Sequence, residues 1–299
     1  PERRFLGFDA YKKAIDCLKP GDVAICATYP GFRVLHLEYA VAKGINVFME
    51  KSFAVDPVGI RRVLKAGEEA EKKNLKIAAG VMCRHSSARQ ALIEKIRAGE
   101  MGDIQLIRAY RMGGAHHMGP RPAQVDNELL WQIRRSIHIF WVSGSLWMEM
   151  TIHQVDECCW LKDAWPVSAQ GWGGRISNSP DAGQNLDTHS IEYTFADGTK
   201  ALACGRYISK AQEEFATWVH GTKCAAQFSG MTHAPTTILY KDQRIGPDHV
   251  AWKPTPEAVN PWQAEWNVLL DAIRGDKKHN EAKRAAYSNL TAMMGRAAV

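Results

Sequence analysis

The chain has 299 residues, 45% hydrophobic and 23% charged, with a formal net charge of +6. That length gives ample core for one large or two medium domains, and no run of eighteen apolar residues is present to suggest a membrane span. Lysine and arginine are scattered without a polybasic block, which argues against a nucleic-acid partner and suits an anionic cofactor equally well. The seven cysteines form no C-x-x-C pair and read as reduced, buried thiols, hence a reducing, cytoplasmic compartment.

A polar start and a helix over Tyr11–Leu18, closed by Pro20-Gly21, precede the most organised stretch of the chain. An apolar run at Val23–Thr28 predicts a strand, Pro30-Gly31 opens a helix, and Gly44 stops it. A second apolar run, Ile45–Met49, then delivers Glu50-Lys51. Strand, helix and strand in about thirty residues make a βαβ unit with parallel strands. Ligands of such sheets sit beyond the carboxyl ends of the strands, where Thr28, Tyr29, Pro30, Glu50 and Lys51 all fall. Helical spacing with a charged outer face predicts a helix over Pro57–Lys73. Lys76–Met82 reads as a third parallel strand giving way to Cys83-Arg84-His85, and Ser86–Ala98 as a helix stopped by Gly99.

The pattern changes at Gly102. Asp103–Met112 alternates like a half-buried strand, and residues 113–128 read as a long loop over a site. Trp131–Glu149 is apolar and aromatic, and Thr151–Leu161 has helical spacing. Short strands follow at Val167–Ile176, His189–Phe195, Lys200–Ile208, Glu214–His220, Cys224–Ser229 and Thr237–Tyr240, separated by turn signals such as Asp197-Gly198. Helices over Trp262–Arg274 and Asn280–Met294 close the chain. The expected class is α/β: a Rossmann-like parallel-sheet domain over 1–101, incomplete at its N-terminus, then an α+β domain over 102–299 with a large, mostly antiparallel open sheet. The C-terminal helices are expected to pack back on the first domain.

Several motifs occur in combination: T-x-P at Thr28–Pro30, A-x-x-x-G-x-x-V-x-x-E-K at Ala40–Lys51, an acid-x-x-x-H-x-x-D set at Glu149–Asp156, the segment Ala169–Arg175, and Leu269–Gly275. In these the chain resembles, over essentially its whole length, the Gfo/Idh/MocA family (glucose–fructose oxidoreductase, inositol dehydrogenase, rhizopine catabolism). The resemblance implies hydride transfer between NAD or NADP and a hydroxyl of a sugar, cyclitol or glycoside, in a homodimer or homotetramer. It puts Lys51 between nicotinamide and substrate, and makes Lys51, His153 and Glu149 the catalytic set. Here Glu149 replaces the family's aspartate, and Ser52 replaces a proline, a change expected to loosen the turn after Lys51. Thr28, Tyr29, Pro30, Glu50, Lys51 and Arg84 would face the cofactor. Lys51, Trp141, His153, Asp156, Trp172 and Arg175 would face the substrate, with His189 a further polar candidate. No G-x-G-x-x-G precedes Ala24, so about two upstream βα units are expected to be missing from a longer polypeptide, which leaves export open. The other reading is a degenerate family member.

Plainer readings stand beside these. Lys51 could pair with an acid at a strand end, His153 could be a core histidine, and the large aromatics Trp131, Trp147 and Trp160 are core by default. Glu149, His153, Asp156 and Glu157, with His116-His117, could offer metal donors, but the spacing matches no standard site and no metal is expected. A glycosidase working through a keto-sugar and a non-catalytic sugar-binding derivative are the functional alternatives. Retention of both Lys51 and His153 favours an enzyme.

Overall fold

A computed structural model describes residues 3–116, 118–175, 183–231 and 236–299. The N-terminal part is a three-stranded parallel sheet in the order β1 (Val23–Cys26), β2 (Asn46–Met49), β3 (Ile77–Ala79). All four residues of β2 and all three of β3 are buried, as expected where helices cover both faces of a parallel sheet. On one face lie α2 (Pro30–Ala42) and α3 (Pro57–Lys72). Asp56 caps α3 by accepting from Gly59 N at 2.6 Å. On the other lies α8 (Pro261–Arg274), whose Trp266 stacks on Phe48 with 4.2 Å between ring centroids. The third strand is shorter than its apolar run suggests, because Met82–His85 tightens into a 3-10 turn.

After α4 (Ser87–Arg97), the second sheet has eight strands in the order β11-β10-β9-β8-β4-β7-β6-β5. In chain order these are β4 (Ile104–Gly113), β5 (Ser168–Gly174), β6 (Thr188–Thr194), β7 (Lys200–Tyr207), β8 (Thr217–Gly221), β9 (Ala225–Ser229), β10 (Ile238–Tyr240) and β11 (Val250–Trp252). Within this second sheet only β4 and β7 pair in parallel among the described strands, so it is mostly antiparallel. The three-residue β11 was not anticipated, and Ile176, the last residue of the strand expected over 167–176, lies outside the described residues. The aromatic stretch before the site resolves into α5 (Glu128–Arg134) and α6 (Phe140–Ser143).

The central helix α7 (Leu146–Lys162) starts five residues before its helical spacing becomes legible, at a Ser145 cap that accepts from Met148 N at 3.2 Å. Every residue from Thr151 to Leu161 is buried. It lies on the inner face of the large sheet beside α9 (Ala282–Ala297), which also packs on α3. Of the seven cysteines, five are buried and all are free; burial pushes Cys26 up to about 12, an inert thiol. Among the described residues no helix is long and apolar enough to cross a membrane.

Candidate active site

Where β2 ends, Glu50 N still donates to Cys26 O of the neighbouring strand at 3.1 Å, so the ends of β1 and β2 stay side by side. The chain then turns sharply across α7. Lys51 donates through Nζ to the Glu149 carbonyl at 2.6 Å and to its Oε2 at 3.2 Å. The Lys51–Ser52 peptide is cis. Ser52 does not loosen the turn as expected. It is fully buried, its hydroxyl donates to Met148 O at 2.8 Å, and its carbonyl accepts from the Arg33 guanidinium. Asn289 of α9 completes the strap by accepting from Phe53 N at 2.6 Å. Lys51 is therefore held at both ends, by backbone on one side and by α7 on the other.

Glu149 and His153 are one helical turn apart on α7 and share a face, with Lys51 against the first of them. Asp156, the next residue on that face, is placed differently from its expected role at the substrate. It is 0% exposed and takes a bidentate pair from Arg84, at 2.8 and 3.0 Å, together with the Ser288 hydroxyl. Burial would raise its pKa, but Arg84 and Arg284 hold it below the ordinary carboxylate value. Asp156 thus fixes Arg84, and Arg84, expected at the cofactor, spends its fork on Asp156 while lying over the Trp160 ring.

Two further expectations are corrected by register. Trp172 pairs with Ser190, which pairs with Cys204, which pairs with Tyr110, so all four share the outer face of the large sheet. Trp172 is 74% exposed there, on the side away from α7 and His153. Arg175 donates to the carbonyls of Gly183 and Asn185 at 2.8 to 3.1 Å. Asn185 in turn accepts from Leu146 N at 2.7 Å, so this arginine anchors the start of α7 instead of reading hydroxyls. His189 is buried against Trp147, and that burial pushes its pKa down to about 4. Trp131, Trp147 and Trp160 are core.

On the cofactor side, Thr28 shares a hydrogen bond with His36 at 2.9 Å, Tyr29 is the N-cap residue of α2, and Pro30 is its first residue. Trp141 stands edge-on to Phe32, 5.9 Å between centroids, and donates to Gln132. This close approach of α6 needs Gly31, where an added Cβ would lie 2.5 Å from the Trp141 carbonyl oxygen. Gly31→Ala is expected to cost roughly 1–3 kcal/mol despite alanine's better helix propensity, measured by urea denaturation; an unchanged midpoint would show that α6 simply shifts. A groove of about 1100 Å³ runs beside β1 and this loop, lined by Ile25, Thr28, Tyr29 and Phe32 among others.

The carboxylates once considered as metal donors each face a different cation: Glu149 faces Lys51, Asp156 Arg84, and Glu157 Arg89. No group of three or more metal-donor side chains forms among the described residues, and His117 lies outside them. For a nicotinamide dinucleotide, two adjacent parallel strand ends with a lysine leaving the second of them are a fitting platform for the nicotinamide half. No glycine-rich phosphate loop occurs at the end of a described strand.

Two polar groups near the site escaped the sequence reading. Glu265 of α8 is 2% exposed and adjoins Glu50 and Glu281; burial, then these two charges, push it up to about 8 against the opposing Arg284. Arg111 of β4 falls on the same parity as Ile107 and Ala109, both buried. A charged residue on the buried side of an alternating strand was the available signal.

Residues 89–227 match the model of the GFO/IDH/MocA C-terminal domain. The rhizopine catabolism protein MocA of Rhizobium meliloti is 24% identical over 296 residues, spanning 95% of this chain and 78% of that protein. The crystal structure of aldose-aldose oxidoreductase from Caulobacter crescentus, complexed with glycerol, superposes with a TM-score of 0.77 at 18% identity, covering 100% of this chain and 83% of its own. That of scyllo-inositol dehydrogenase from Lactobacillus casei, with bound NAD(H) and scyllo-inositol, gives 0.69 at 18% identity over 96% and 80%. The chain thus contains a segment that matches the GFO/IDH/MocA C-terminal domain, is similar to MocA over most of its length, and shares the two-sheet fold of these solved structures.

Proposed function

We propose that this chain serves an oxidoreductase that moves a hydride between NAD or NADP and a hydroxyl of a sugar, cyclitol or glycoside. The observation that carries the reading is Lys51, strapped at the carboxyl end of β2 and bound to Glu149 one helical turn from His153. The enzymes with the same fold named above supply the context. Residues 1–101 are assigned the nucleotide side and residues 102–299 the substrate side. The nicotinamide, when bound, supplies the hydride acceptor or donor.

The chain's own residues handle the hydroxyl. Lys51, oriented by Glu149, donates to the reacting oxygen and stabilises negative charge developing there. His153 accepts the hydroxyl proton in oxidation and returns it in reduction. Thr28, Tyr29, Pro30 and Glu50 border the cofactor, and Trp141 narrows its entrance. The partly open outer face of the large sheet, with Trp172 and Trp218, is assigned to self-association.

Titration with NADH and NADPH, followed by tryptophan-to-nicotinamide energy transfer, tests the cofactor. Saturable transfer with one of them is expected. Lys51→Met should keep the fold but lower turnover of an accepted sugar about 100-fold. Absence of transfer with either nucleotide, also in a polypeptide extended upstream of Pro1, would exclude the oxidoreductase reading.

A further inference from the structure

Two cations reach α7 from opposite sheets at the same step of the helix. Lys51 comes from the small sheet to Glu149. Arg111 comes from β4 of the large sheet to Met150, its Nη2 3.8 Å from the thioether sulfur. Glu149 and Met150 are only partly buried, whereas Leu146–Met148 before them and Thr151–Leu161 after them are buried. The helix is therefore open to a ligand at just this step, next to His153.

The two cations differ in what balances them. Lys51 has the Glu149 carboxylate. Arg111 is 9% exposed, its Nη1 is buried without a hydrogen-bond partner, and its guanidinium lies 4.1 Å from the centre of the Phe215 ring. A ring face and a thioether are weak acceptors for a guanidinium. Tyr207, Cys83 and Glu213 act on it electrostatically at longer range, and no ion pair forms with it among the described residues. Burial lowers its pKa, but a guanidinium stays protonated. A buried, uncompensated cation is costly to keep, and its planar fork matches a carboxylate or phosphate in two hydrogen bonds.

We propose that Arg111 binds an anionic substituent of the sugar, a carboxylate in the first instance, so that the chain takes an acidic sugar in preference to a neutral one. This rests on the sugar-oxidoreductase reading above and names the substrate class for the same site. Lys51 is excluded from that task because Glu149 already neutralises it, which leaves it free to serve the reacting hydroxyl.

Calorimetric titration of the chain with NAD present tests this, using D-glucuronate, D-galacturonate, D-glucose, D-galactose and D-glucose 6-phosphate. At least one uronate is expected to bind about 10-fold or more tightly than its parent hexose. Arg111→Gln should abolish that preference without weakening hexose binding, and Arg111→Lys should restore part of it. The unfolding midpoint of Arg111→Gln should be no lower than that of the parent, since an unpaired buried charge is removed. Glucose 6-phosphate binding more tightly than the uronates, with the same dependence on Arg111, would support the anion site and make the anion a phosphate. Equal binding of uronate and hexose, a preference that survives Arg111→Gln, or a large fall in its midpoint would overturn the proposal while leaving the sugar reading intact. Binding of no sugar, acidic or neutral, would overturn both.

Discussion

Replacing Arg89 by methionine is expected to lower the stability of the chain by about 3–5 kcal/mol. Arg89 of α4 and Glu157 of α7 are both fully buried, with Nε and Oε1 3.1 Å apart. The other Glu157 oxygen accepts from Thr217 of β8 at 2.5 Å and from Ser229 of β9 at 2.9 Å. One carboxylate thus ties α4, α7 and two strands of the large sheet. Methionine fills similar space but leaves the carboxylate charged in an apolar interior, and that uncompensated charge dominates the cost. The double variant Arg89→Met/Glu157→Gln removes both charges and keeps an acceptor for the two hydroxyls, so it should recover more than half of the loss. Urea denaturation of the four proteins of the cycle measures this. A single variant within 1 kcal/mol of the parent would show that water or local rearrangement reaches Glu157 easily.

The second large effect depends on pH. Glu265 titrates near 8 in the folded chain because of its burial, reinforced by Glu50 and Glu281, and at the ordinary carboxyl value when unfolded. Between about pH 4.5 and 8 the folded state therefore binds more protons at this position than the unfolded state. Its contribution to stability is complete below pH 4.5 and is progressively lost as pH rises through 8. The loss by pH 8 is on the order of 4 kcal/mol. Glu265→Gln, which stays neutral, should remove that slope and exceed the parent in stability at pH 8, with little difference at pH 4.5. Parallel stability–pH curves for the two proteins would refute a raised Glu265 pKa.

The parts of the fold that repeat a short period were legible from sequence. Alternating or continuous apolar runs gave β1, β2 and most of the large sheet to within a few residues, and the helical spacing of α3 placed it within one residue. The start of α7 was not legible, because a helix buried on every side has no polar stripe to mark its phase. At the site, the strand-end position of Lys51 and the one-turn spacing of Glu149 and His153 are local properties, whereas the 98 positions between Lys51 and Glu149 were bridged only by the family resemblance. Asp156 and Arg84 lie 72 positions apart and satisfy each other, and no local pattern announces such a partner. Trp172 was misplaced because β5 alternates it with glycines, which carry no signal of which face is inward; the buried His189, Ile191 and Tyr193 of the neighbouring strand decide that.

The strap formed by Lys51 and Ser52 across α7 has a mechanical consequence. A lysine on a surface loop would lose its aim with each fluctuation of that loop, and the tolerance for proton transfer is a fraction of an ångström. Here the aim is inherited from three separate elements: α2 through Arg33, α7 through Met148 and Glu149, and α9 through Asn289. Each comes from a different part of the chain, so the ammonium reaches its place only once all three have assembled. Under the role proposed for Lys51, a form in which any one of these three elements has come away lacks the geometry for handling the proton.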